Sequence, residues 1–125
     1  MIKSIFTTLI AILVLIGASI WESKQINNTF DTFYNFLEQS EQKLKSESAS
    51  PLDLKVLEDF WLDKKRSLHV WIPHNDIKEI DLWVSECVAY TEAKKYDEAI
   101  CKIEVLKVLA RQVPNTFILK LENIF

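Results

Sequence analysis

Lys3 and Glu22 bracket eighteen residues without a charge, and from Ile5 to Ile16 the run is almost wholly apolar. About 20 helical residues at 1.5 Å each span roughly 30 Å, the hydrocarbon thickness of a bilayer. This segment places the chain in or on a membrane. The remainder must be a tethered domain of roughly a hundred residues, an ordinary size for one core.

A cleavable secretory signal is the competing reading. Lys3 supplies a basic start, and Gly17, Ala18 and Ser19 are small. However, no A-x-A is present, and Ile16 is a poor residue three before a cut after Ala18. No Cys comes directly after the apolar run for lipid attachment. The apolar run is long for a signal, and Trp21 stands where an interfacial aromatic belongs. An uncleaved anchor over residues 1–21 is the better reading. Positive charge stays on the cytoplasmic side. Lys3 and the amino group favour that side for the N-terminus, while Glu22 and Lys24 cancel. Residues 22–125 are then expected outside the cytosol.

The chain holds 15 Lys and Arg against 18 Asp and Glu, with both signs interspersed. Nucleic acid is not an expected partner, because binding it needs a net basic surface. The run Lys64-Lys65-Arg66 reads as a solvated helix face beside Asp59 and Asp63. The single glycine, Gly17, lies in the membrane segment. Hairpins and phosphate-cradling loops need glycine where φ is positive or backbone approaches closely. Its absence elsewhere argues against β structure, a Walker loop and a dinucleotide fold. The expectation is an all-α chain: a transmembrane helix continuing into an antiparallel bundle of four to five helices.

Within the domain, 22–125, the first helix is a stem, 22–45. Ile26, Phe30, Phe33, Leu37 and Leu44 share one face. Asp31, Asn35, Glu38 and Glu41 are assigned to its other faces. Ser50 as N-cap, Pro51 at N1 and Asp53 as the box acid start a helix over 51–72, with Val56, Leu57, Phe60 and Trp61 inward. Asp76 as N-cap with Glu79 starts the next, 77–93, with Ile77, Ile80, Val84, Cys87, Val88 and Thr91 inward. Asp97 caps a helix over 97–113. Its apolar residues Ala99, Ile100, Ile103, Val105, Leu106, Val108, Leu109, Ala110 and Val113 cover so much of its circumference that it is expected to be central. Pro114 ends it, and Asn115 caps a short helix, 116–124, containing Phe117, Ile118, Leu121 and Ile124. The phrase Ala93-Lys94-Lys95-Tyr96-Asp97-Glu98-Ala99 resembles the turn of a tetratricopeptide hairpin, without a thirty-four-residue repeat.

Chemistry-bearing residues are few. His69 and His74, with Asp76, surround Pro73, but an i, i+5 pair across a proline lacks the spacing of a helical zinc site. No metal, cofactor or catalytic residue is assigned. His74 and Asn75 are read as satisfying backbone groups of the turn. Cys87 and Cys101 each lie seven residues from Lys94, at matching heights on an antiparallel pair. A disulfide is conceivable there, but two buried small residues are favoured. Trp61, Trp71 and Trp83 are read as core or interface, and with His74 they form the candidate interaction or pocket residues.

The phrase Trp71-Ile72-Pro73-His74-x-Asp76-Ile77-x-x-Ile80-Asp81, after one membrane helix and before the ending Leu121-Glu122-Asn123-Ile124-Phe125, resembles domain-of-unknown-function family 4363. The resemblance implies a small single-pass membrane protein of spore-forming Gram-positive bacteria, with genes near those of small multi-pass membrane proteins. It also implies an accessory role at the membrane, with no enzymatic activity to carry over. The expected function is a non-enzymatic interaction module. Its expected partners are lipid along residues 1–21 and another membrane protein, with a homo-oligomer left open. The alternative is a small-molecule or lipid-binding domain whose pocket is lined by Trp61, Trp71 and Trp83 and gated by His74. A hydrolase using His74 and Asp76 is a weaker third reading.

Overall fold

The computed structural model describes residues 1–124, with side chains described through Thr116. Four helices account for the fold: α1 (Ile2–Lys45), α2 (Pro51–Leu68), α3 (His74–Glu92) and α4 (Tyr96–Ile124). No strand occurs among the described residues. α1 joins the apolar segment to the stem without interruption, and it is long and apolar enough at its start to cross a membrane. None of that apolar stretch is buried against the rest of the protein.

The stem is part of the core. Ile26, Phe30, Phe33, Leu37 and Leu44 are all buried, as the stripe predicts. Trp61 sits between helices with its ring centroid 5.3 Å from Phe33 and 6.4 Å from Phe30. Phe60 packs on Phe36 at 4.9 Å and on Phe33 at 6.3 Å. Each large side chain so removed from water contributes roughly 1.5–3 kcal/mol.

The packing is a closed ring. α1 packs against α2 and α4, and α3 against α2 and α4, with no close backbone approach across either diagonal among the described residues. α4 is therefore one side of a four-helix ring and not its centre, contrary to the expectation from its apolar circumference. Its inner face is Ala99, Ile103, Leu106, Ala110 and Val113, while Val108 is exposed. On α2, Leu54, Leu57, Trp61 and Leu68 are buried, and Val56 faces water. The six residues expected on the inner face of α3 are its buried residues.

Helix ends depart from the sequence reading in four places. α2 stops at Leu68 and not at Ile72, where the following Pro73 disfavours helical geometry. The chain turns there, with Ile72 N–H donating to the Leu68 carbonyl at 2.8 Å. α3 begins at His74 with Pro73 as N-cap, so Asp76 lies within the first turn and caps nothing. The fixed ring geometry of Pro73 (φ −54°, ψ 140°) starts the helix three residues before the acid could. Asp97 likewise lies inside the first turn of α4, where it favours the helix dipole. Pro114 sits inside α4 and does not end it. It removes one backbone donor from the helix without ending it. Asn115 is thus no cap, and the side chains of Phe117, Ile118, Leu121 and Ile124 lie outside the described residues.

Two joints are closed without glycine. After α1, Glu47 takes φ 56°, with Ser48 N–H bonded to Lys43 O and Glu47 N–H to Leu44 O. After α3, Lys94 takes φ 59°, with Lys95 N–H bonded to Tyr90 O and Lys94 N–H to Thr91 O. Both are Schellman motifs with an ordinary residue in the left-handed position.

Alternating helix directions put both of these joints at one end of the bundle. Lys43 meets Asp53 there at 3.0 Å. The α2–α3 turn is at the other end, level with the top of the apolar segment.

Candidate functional site

At the end nearest the apolar segment, α1 and α2 diverge and leave a groove. Its walls are Trp21, Glu22, Gln25, Ile26 and Thr29 on one side, and Lys64, Ser67, Leu68 and Trp71 on the other. Its volume is about 360 Å³. Ile26 and Leu68 are buried at its floor. Trp21 and Trp71, fifty positions apart, line it together, which unites the tryptophan ending the apolar segment with one candidate tryptophan.

The other candidates are elsewhere. Trp61 is a core side chain, 1% exposed, and its Nε1–H donates to Asp81 Oδ1 at 2.6 Å. Lys65 Nζ donates to the other Asp81 oxygen at 3.1 Å, so one carboxylate ties α2 to α3. Trp83 lies on the α3–α4 side, under the Lys102 ammonium at 4.3 Å. Lys102 is itself paired with Glu86 at 3.1 Å. Trp61, Trp71 and Trp83 thus form no common pocket, because their three positions point to the core, the α1–α2 groove and the α3–α4 surface.

His74 stacks on His69 across the turn, with ring centroids 5.6 Å apart. Among the described residues, no third His, Cys, Asp or Glu joins them into a metal-holding group. Cys87 and Cys101 are both free thiols. Cys87 is buried, and its Sγ–H donates to the Ala99 carbonyl at 3.2 Å. Burial pushes its pKa up to about 12, so it is a neutral thiol at ordinary pH. Cys101 is exposed, contrary to the expectation of two buried cysteines. Ala99 and Ile103 occupy the inner face of α4, and the residue midway between them points away from it.

One polar cluster is not legible in the sequence as such. Glu41 is buried, with Lys45 Nζ at 2.7 Å and Lys107 Nζ at 3.0 Å on its two oxygens. Burial alone would raise its pKa, but hydrogen bonds from Lys45 and Lys107 outweigh that and hold it down to about 2. Its partner Lys107 is raised, chiefly by the hydrogen bond to Glu41. Tyr34 lies beside this pair, with the Arg111 guanidinium 4.2 Å from its ring. The signal is in the stripe: the seven-residue step from Leu37 to Leu44 has Glu41 at the helical position between them. The residue assigned to a solvent face is the one that closes the α1–α4 seam.

A family model described as "Domain of unknown function (DUF4363)" matches residues 20–124. The chain belongs to this family. No curated protein and no solved structure matches it. The match begins next to Trp21 and takes in the stem together with the three later helices. Within it, the segment that carries the resemblance is the α2–α3 joint: Ile72, Ile77 and Ile80 are buried there, and Asp81 is the carboxylate that holds Trp61.

Proposed function

We propose that the chain is a membrane-anchored, non-enzymatic helical module that assists a multi-pass membrane protein, with its bundle outside the cytosol. The observation that carries this reading is the continuity of α1. One helix holds the unburied apolar segment and then supplies Phe30, Phe33 and Leu37 to the core. A helix that is membrane span at one end and core at the other cannot let its domain swing freely. It presents the faces of the bundle at a fixed height and angle, as an accessory subunit requires. The ionisable groups of the interior and the seams are tied into helix contacts: Glu41 to two lysines, Asp81 to Trp61 and Lys65, and Cys87 to a backbone carbonyl. They support the seams of a scaffold better than an acid–base pair.

Crosslinking the full chain in its own membranes, followed by pull-down, tests the reading. Reproducible recovery of one multi-pass protein is expected. Recovery of the chain alone, at crosslinker reach covering all bundle faces, overturns it.

A further inference from the structure

The turn between α2 and α3 is an exposed apolar point aimed at the membrane end of the molecule. We propose that this turn, residues 69–73, is a second membrane contact, with Val70 and Trp71 seated in the lipid headgroup layer beside the emerging α1. The proposal rests on reading the start of α1 as a membrane span, and it adds a lipid-binding surface to that reading.

Depth is the first argument. Trp71 lines the same groove as Trp21, Glu22 and Gln25. Gln25 is four residues beyond Trp21, a rise of about 6 Å along a helix. The polar layer on each side of a bilayer core is also roughly 5–7 Å thick. Ile26 and Leu68 line that groove together, and the turn carries the chain past Leu68 toward Trp21, so with Trp21 at the edge of the hydrocarbon the turn is placed at that layer. The span's tilt does not remove it: α2 runs about 8–10 Å from α1, and a tilt of about 20° moves the turn by only ~3 Å.

Rigidity is the second. α1 is one helix from Ile2 to Lys45. Leu68 and Ile72, on either side of the turn, are buried in the core. The depth of the turn is therefore set by the span and not by a flexible linker.

Chemistry is the third. Val70 is 75% exposed and Trp71 37% exposed. One exposed valine on a protein surface is ordinary. An exposed valine next to a tryptophan, level with another tryptophan that ends an apolar segment, is the composition of an interfacial anchor. Lys64 lines the groove and Arg66 is exposed one turn before Val70. Their long stems can lie along the apolar rim with the charges at phosphate height. Asp63 and Glu22 keep the surface mixed in sign, so insertion of the apolar turn and not bulk charge is the main attraction.

The test is depth measurement by spin labels on the full chain in nanodiscs of phosphatidylethanolamine and phosphatidylglycerol. Single cysteines replace Val70, Leu13 or Leu52 in a Cys101→Ser background, with buried Cys87 retained. Leu52 is exposed at the far end of the bundle and serves as the aqueous reference. The expected result at V70C is a severalfold lower collision rate with a water-soluble nickel relaxant than at L52C, together with a rise in oxygen collisions. A V70C label as nickel-accessible as L52C, with L13C deep in lipid, overturns the proposal and leaves the span standing. A nickel-accessible L13C overturns both. Loss of nickel access at V70C without a gain in oxygen means that protein, such as a second copy, covers the turn, and this also overturns the lipid assignment.

Discussion

Glu41 and Lys107, 66 positions apart in the chain, meet at 3.0 Å on the seam between α1 and α4. The carboxylate is almost wholly removed from water and is shared with Lys45. Its pKa is depressed to about 2 from an ordinary value near 4.5. A depressed carboxylate stabilises the fold fully above its unfolded pKa and loses that contribution as pH falls through its folded pKa. Stability should therefore be flat above about pH 5 and fall between about 4.5 and 2. The linked contribution is on the order of 2 kcal/mol. Chemical denaturation across that range checks it. In Glu41→Gln, stability at neutral pH should drop by a similar amount and its acid dependence should weaken. An unchanged acid slope in the variant would show that other carboxylates govern acid unfolding.

The two left-handed joints make an opposite kind of prediction. Glu47 and Lys94 hold φ 56° and 59°, which costs a residue with a Cβ roughly 1–2 kcal/mol. Glycine avoids that penalty and loses part of the gain through backbone entropy. Lys94→Gly and Glu47→Gly should each stabilise by about 0.5–1 kcal/mol. Lys94→Ala should give no gain, since alanine keeps the clash. Matched denaturation curves decide it, and equal behaviour of the Gly and Ala variants would remove the strain argument.

The contrast between stripes and ends explains what is legible in the sequence. The inner faces of α1 and α3 can be read directly, because burial repeats every three or four residues and Ile26, Phe30, Ile77 and Ile80 obey that spacing. The start of α2 can be read too, because Ser50, Pro51 and Asp53 agree on one place. The start of α3 cannot, because the acid at Asp76 and the proline at Pro73 both signal a start, and only chain geometry decides which acts. Glu41 is misplaced by its residue type because a buried acid looks polar until its lysines arrive, and Lys107 comes from a helix far along the chain. Trp61, Trp71 and Trp83 are equivalent by residue type. Periodicity cannot say that one faces the core, one the α1–α2 groove and one the underside of Lys102.

Two acids in the segment of residues 71–81 now separate cleanly. Asp76 caps nothing and gains only the dipole at the start of α3, about 0.3–1 kcal/mol. Asp81 accepts from buried Trp61 and from Lys65. Removing it leaves the indole N–H without its partner, at about 1–3 kcal/mol. Asp81→Ala should therefore be clearly the more damaging of the two, and Trp61→Phe should reduce the further cost of losing Asp81. A double-mutant cycle with no coupling between Trp61 and Asp81 would contradict the geometry.

Membrane orientation can be read from a native residue. Cys101 is exposed on α4, and Cys87 is buried. With Lys3 retained on the cytoplasmic side, a membrane-impermeant maleimide should label Cys101 in intact, wall-stripped cells. Cys101→Ser should abolish labelling, because Cys87 is shielded and protonated. Labelling that appears only after lysis would place the bundle in the cytosol.

The last prediction concerns where the folding unit begins. No residue of the apolar start of α1 is buried against the described residues, so its removal should cost the bundle little. The stem differs: Ile26, Phe30, Phe33 and Leu37 are buried against later helices, and each is worth roughly 1.5–3 kcal/mol. A small domain's net stability is only about 5–15 kcal/mol, so losing these four side chains exceeds or exhausts the margin. The ring of four helices would also open, leaving α2 and α4 each with an uncovered face. A chain beginning at Glu22 should be soluble and melt cooperatively. A chain beginning at Ser50 should be aggregated or molten, with dye-binding apolar surface and no sharp transition. A well-dispersed, monomeric NMR spectrum from the shorter chain would mean that α2, α3 and α4 close a core of their own. The stem would then be a surface laid on that core, and its exchange for a partner's helix would become the better account of the module.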